Sequence, residues 1–221
     1  MESRPGLGIQ AGSFDPAQSV RAILLDIEGT TTPIAFVTET LFPYARARLG
    51  AFLEREGRSA ETDEFAALMN RDSKAPELKE LQGRIWDAGY RDGTLAGQVF
   101  DDVPRAFVRW RDAGTAIGIY SSGSVLAQQW LFRTCPDGDL TPFIRWYFDT
   151  AVGAKREPGS YVRIAEHARL APSAITFISD VVAELDAARL TGMQTILSIR
   201  KGNAPQPSND HRAITSFDEL A

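Results

Sequence analysis

The chain has 221 residues, 43% hydrophobic and 24% charged, with 24 Lys and Arg against 29 Asp and Glu, a net charge of −5. That length buries a sizeable core without disulfides or a structural metal, and the acidic balance excludes a bulk electrostatic drive toward nucleic acid or an anionic membrane. A single cysteine, Cys135, excludes an intrachain disulfide framework and a zinc centre made of four cysteines, and it fits a reducing cytoplasm.

Residues 1–20 hold Pro5, Gly6, Gly8, Gly12 and Pro16 and no apolar run, so they read as an extended arm and not as a secretory signal. No segment approaches the roughly 18 uninterrupted apolar residues of a membrane span. Ala22–Leu25 is a short apolar run that reads as a buried strand ending at Asp26. Helical patterns follow at 38–56, 61–71 and 76–87. Further helical patterns at 103–112, 124–132, 158–169 and 181–190 alternate with apolar runs at 116–120, 175–178 and 195–199. Short apolar runs alternating with helices predict an α/β fold, a parallel sheet covered by helices on both faces. About 90 residues separate Asp26 from Ala116, whereas a parallel crossover needs only roughly a dozen. The surplus predicts a helical subdomain inserted after the first strand, above the carboxyl edge of the sheet, where it works as a lid. The expected division is an arm at 1–20, an α/β core at 21–36 and 101–221, and a cap at 37–100.

Three apolar runs stop at reactive polar groups: Asp26, Ser121 and Asp180. In a parallel sheet those ends share one edge. Asp26 opens Asp-Ile-Glu-Gly-Thr-Thr-Thr-Pro; alone it reads as a strand-end turn, with Gly29 supplying the bend. The functional reading makes Asp26 a carboxylate nucleophile on phosphorus and Glu28 its proton donor and acceptor, in surroundings that raise its pKa. Ser121 and Ser122 open Ser-Ser-Gly-Ser before a helix, which is either an N-cap or an anion site. Lys155 with Arg156 suits a solvated pair or a cation committed to a phosphoryl oxygen. Asp180 is either the N-cap of the following helix or, across from Asp26, part of a hard-oxygen Mg2+ site. His167 and His211 form no cluster in sequence and read as structural or solvated, and Cys135 lacks a basic neighbour. Trp86 and Tyr90 read as core of the inserted helices or as lid residues facing the site, and Phe36 joins them as a lid candidate.

With Asp26, Ser121, Lys155 and Asp180 in that order, the chain resembles the haloacid-dehalogenase-like phosphatase superfamily. More narrowly it resembles the enolase-phosphatase family of methionine salvage. The carrying segments are 26–34, 120–125, 148–150, 153–157, 179–188, 81–90 and Arg-Lys-Gly-Asn-Ala at 200–204. Glu28 is the narrow signal, since most of the superfamily has Asp there. The resemblance implies a Rossmannoid sheet with a helical cap. It implies one Mg2+ per subunit, bound by Asp26, Glu28 through its main-chain carbonyl, and Asp180. Ser121 and Ser122 would bind the substrate phosphate, and Lys155 would neutralise its charge. The implied substrate is the phosphorylated diketone 2,3-diketo-5-methylthiopentyl 1-phosphate, enolised and then hydrolysed to an acireductone by a cytoplasmic monomer. The enolisation base is left open between Glu28 and Lys155. Pro158-Gly159 departs from the expected pattern and predicts a helix start shifted by a residue or two. Two alternatives stand beside this reading: a sugar-phosphate or nucleotide phosphatase of the same superfamily, and a receiver module, which needs no lid. A dinucleotide fold fails for want of G-x-G-x-x-G after the first strand.

Overall fold

The computed structural model describes residues 21–71, 73 and 75–220; the arm expected at 1–20 lies outside the described residues. Six parallel strands form one sheet in the order β3-β2-β1-β4-β5-β6. They are β1 (Ala22–Leu25), β2 (Ala116–Tyr120), β3 (Ile144–Phe148), β4 (Ile175–Ser179), β5 (Gln194–Ser198) and β6 (Arg212–Ile214). The central strands β1 and β4 are buried throughout, which is why they read as continuous apolar runs. The edge strands β3 and β6 escaped the sequence reading. Arg145 is exposed and Trp146 and Tyr147 are half-buried on β3, and β6 has only 3 residues. An edge strand covered on one face carries no uninterrupted apolar signal.

Helices α1 (Phe42–Arg55), α2 (Thr62–Asn70) and α3 (Pro76–Arg91) come from the long interval after β1; α4 (Asp102–Asp112), α5 (Val125–Arg133), α6 (Pro158–Ala168) and α7 (Val182–Arg189) cover the sheet. On α4, Val103, Ala106, Phe107 and Trp110 are buried at helical spacing. They join Ile23, Leu25, Ile117 and Ile119 on one sheet face. The other face packs Ala22, Leu24, Tyr161, Phe177 and Leu185. The first insert helix departs from expectation, because Phe36–Leu41 is a wide π-type turn before α1 begins at Phe42. Pro158 does not delay α6. It occupies the first helical position, where its missing N–H is no loss. The insert helices gather Ala45, Leu49, Phe52, Leu53, Phe65, Leu68, Leu78, Leu81 and Ile85 into an apolar cluster of their own. Among the described residues, no helix is long and apolar enough to cross a membrane.

Candidate active site

Register brings the predicted strand ends together. Leu25 lies opposite both Ile119 and Ile178, so Asp26 levels with Tyr120 and Ser179, and Ser121 and Asp180 stand one residue beyond. The Asp26 N–H continues the ladder by donating to the Ile178 carbonyl at 3.0 Å. After Asp26 the chain turns sharply. The N–H groups of Thr30, Thr31 and Thr32 all reach the Ile27 carbonyl, and Gly29 has φ 71°, a left-handed conformation that favours glycine. The turn expected from the sequence is therefore present, and it coexists with the functional placement.

The Asp26 carboxylate is buried and held at both oxygens. Oδ1 accepts from the Ile27 N–H at 2.7 Å and from Lys155 Nζ at 2.7 Å; Oδ2 lies 3.2 Å from the Ser179 hydroxyl. Lys155 Nζ also reaches Glu184 Oε2 at 2.6 Å. Burial opposes the lysine's charge, but Asp26 and Glu184 outweigh it and hold the ammonium above the ordinary lysine range. The loop bearing Lys155 is pinned by three hydroxyls: Tyr120 to the Gly153 carbonyl at 2.9 Å, Ser160 to the Ala154 carbonyl at 2.8 Å, and Tyr161 to the Lys155 carbonyl at 2.6 Å.

Asp180 is buried and does not cap α7, whose N-cap position is Val181. Desolvation, with the charge of Asp26 added, pushes its carboxyl up to about 7 despite Lys155. Glu184 is raised too, first by desolvation and then by Asp26. Two buried carboxylates thus share one lysine with a third, Asp180, nearby, and the crowd is short of positive charge.

Ser121 is buried, and its hydroxyl accepts from the Gly123 N–H at 3.2 Å, while Ser122 is exposed. The N-cap of α5 is Ser124, which accepts from the Ala127 N–H. Gln128 on α5 donates to the Gly123 and Phe148 carbonyls at 2.8 and 2.9 Å, fixing the serine loop. Glu28 has an exposed side chain on the rim of the turn; the enclosing environment expected for it is not found, because the turn faces that side chain outward. Sequence reasoning missed Ser179, Glu184 and Gln128. Glu184 had a signal: it stands four residues after Asp180, one helical turn on.

The remaining candidates are structural. Tyr90 is buried and stacks on Trp130, with ring centroids 6.2 Å apart. Trp86 is half-buried and donates its indole N–H to the Leu41 carbonyl at 2.8 Å, and Phe36 is core. Cys135 is buried, its thiol pushed up to about 12 by desolvation, so it is inert as a nucleophile. His211 bridges Thr195 and Asp186, and His167 packs edge-on against Phe148.

Residues 20–192 match the haloacid dehalogenase-like hydrolase family. The enolase-phosphatase E1 of Synechococcus elongatus is 46% identical to the chain, over 91% of it and 98% of that protein. The chain belongs to the enolase-phosphatase E1 family. A longer relative from Populus trichocarpa, named as a probable bifunctional methylthioribulose-1-phosphate dehydratase/enolase-phosphatase E1, is 40% identical over 90% of this chain and 47% of that protein. Among solved structures, the UTR4 protein of Saccharomyces cerevisiae superposes with a TM-score of 0.80 at 34% identity, covering 91% of this chain and all of that one. Enolase-phosphatases sit within the hydrolase family matched here, whose phosphatases generally use Mg2+.

The donor set fits such a metal. Asp26 and Asp180 are buried neighbours, and desolvation, followed by the charge of Asp26, raises the Asp180 carboxyl. Among the described residues, no group of three or more His, Cys, Asp or Glu side chains forms a metal cage. Two carboxylates without a cage suit Mg2+, which keeps several waters and takes the rest of its shell from carbonyl and phosphate oxygens.

Proposed function

We propose that this chain is a cytoplasmic, monomeric enolase-phosphatase of methionine salvage. It takes 2,3-diketo-5-methylthiopentyl 1-phosphate through its enol phosphate to 1,2-dihydroxy-3-keto-5-methylthiopentene and inorganic phosphate. The observation that carries this reading is the 2.7 Å pairing of Lys155 with Asp26 at a strand end beside Asp180, in a chain whose curated relatives are enolase-phosphatases. The Populus relative supports the substrate class, since its name joins this activity to a dehydratase of methylthioribulose 1-phosphate.

Asp26, Asp180 and the main-chain carbonyl of Glu28 would hold one Mg2+. The chemistry supplied by that ion, when bound, is neutralisation of the carboxylates and polarisation of the phosphate. Ser121 and Ser122 bind the phosphoryl oxygens at the start of α5. Asp26, its plane fixed by the Ile27 N–H and Ser179, attacks phosphorus as the P–O bond to the enol breaks, and water then releases phosphate from the aspartyl group. Lys155, held between two carboxylates, stays an ammonium and stabilises negative charge on the phosphoryl group and on the enolate. Proton removal and return would then fall to Glu28, whose side chain is exposed on the rim of the turn. The insert at 37–100 caps the site from above the strand ends, with α3 against α5: Trp130 donates to Asp87 at 2.6 Å.

The test follows phosphate release and enol absorbance separately. Asp26→Asn keeps the side chain's shape and should abolish phosphate release by at least about a thousandfold while enolisation partly survives. Wild-type phosphate release by this variant rejects the reading, and so does activity on sugar phosphates with none on the diketone.

A further inference from the structure

Asn203 has no part in the chemistry above, yet the fold spends several contacts on placing it. It ends a reverse turn after β5, where its N–H donates to the Arg200 carbonyl at 3.1 Å and Gly202 takes φ 94°. The turn is anchored from below. Arg200 is buried, pairs with Asp102 at 2.8 Å and lies between the rings of Phe100 and Phe217, at 4.6 and 4.7 Å.

The Asn203 amide has one sensible orientation. Its Nδ2 donates to the Gly29 carbonyl at 2.9 Å and to the Ser198 carbonyl at 3.1 Å. A flipped amide would set Oδ1 against two carbonyl oxygens. Oδ1 therefore faces the other way, where it is buried and finds no donor among the described residues. Its direction is marked by Gly29. A methyl group on Gly29 would fall 2.9 Å from Asn203 Oδ1 and 2.5 Å from Asp180 Oδ2. Two acceptor oxygens thus border one small gap over Gly29. A buried acceptor without a donor is strongly disfavoured, so a donor belongs in that gap. Water carried on a divalent cation is such a donor, and Mg2+ keeps several waters.

We propose that Asn203 is a positioning residue of the metal site: its Oδ1 accepts a hydrogen bond from a water on the Mg2+ that Asp180 helps to hold, while its Nδ2 clamps the Gly29 turn. The inference rests on the Mg2+-dependent reading above. It also gives the 200–204 segment a task, since the buried Arg200 stiffens the turn that presents Asn203.

The test measures Mg2+ affinity of the full chain by titration calorimetry, without substrate. Asn203→Ala should bind Mg2+ on the order of tenfold more weakly, the usual effect of removing a group that orients a metal's shell. Ser198→Ala separates this role from simple tethering. The Ser198 hydroxyl also donates to the Gly29 carbonyl, at 3.2 Å, so this variant loosens the turn but leaves Oδ1 in place; it should bind within about twofold of wild type. Equal weakening in Asn203→Ala and Ser198→Ala overturns the proposal. So does wild-type affinity in Asn203→Ala. If the Ala variant does not fold, a crystal structure of the wild-type chain with Mg2+ decides: a water on the metal within hydrogen-bond distance of Asn203 Oδ1 supports the proposal, and its absence overturns it. Asp180→Asn is the separate control: if wild type binds no Mg2+, or binds it as Asp180→Asn does, the metal reading itself falls.

Discussion

The sheet and the helical insert use the same residue types for opposite ends. In the insert, the Arg58–Glu61 ion pair is partly open to solvent, on helices whose stability comes from a cluster of Leu, Phe and Ile beneath them. At the sheet edge, Lys155, Asp26 and Glu184 are enclosed, with side-chain exposures of 10, 8 and 12%. A charge in solvent interacts weakly with its partner, and one in a buried site interacts strongly. An ion pair of the insert such as Arg58–Glu61 therefore contributes little, whereas the charges of the edge are crowded into a site with too few cations. Burial, not the number of charges, therefore decides how strongly these groups act on one another.

Lys155→Ala probes that contrast most severely. It strands Asp26 and Glu184 as buried carboxylates, which should destabilise the protein by about 3–5 kcal/mol, read as a lower urea midpoint at unchanged slope. A loss as small as that of a surface lysine would show that the site is open to water and would erase the contrast. Leu53→Ala, in a fully buried position of the insert cluster, should cost about 2–5 kcal/mol. Hydrogen exchange should then quicken across 42–91 while β1 and β4 stay protected; uniform acceleration would mean that insert and sheet unfold as one. Gly29→Ala should cost about 1–3 kcal/mol from the left-handed backbone alone. The added methyl also meets Asp180 and Asn203, so phosphate release should fall further than stability does. Arg58→Ala should leave both the thermal midpoint and activity unchanged, because its pair with Glu61 is exposed.

That Asp26, Ser121 and Asp180 share one edge of the sheet was legible in the sequence. Asp26, Ser121 and Asp180 each follow an apolar run, and a parallel sheet sends such ends to one edge. The insert was legible from the length between β1 and β2. Three features were not. Strands β3 and β6 lie at the sheet's edges, where Arg145 and Arg212 interrupt the apolar pattern. Glu184 had to be brought back over Lys155 by the phase of α7. Ser122 and Glu28 read as equal partners of Ser121 and Asp26, yet both are exposed.

The sequence alone therefore determined the α/β class, the insertion after the first strand and the candidate residues at the strand ends, because hydrophobic period and strand-end position are local properties. Which of those residues share an oxygen, which carboxyl is raised, and that Asn203 turns an acceptor toward Asp180 were decided only by tertiary structure. Those properties depend on strand register, helix phase and burial, and each is set by parts of the chain far apart in sequence: Lys155 and Asp26 meet across more than a hundred residues.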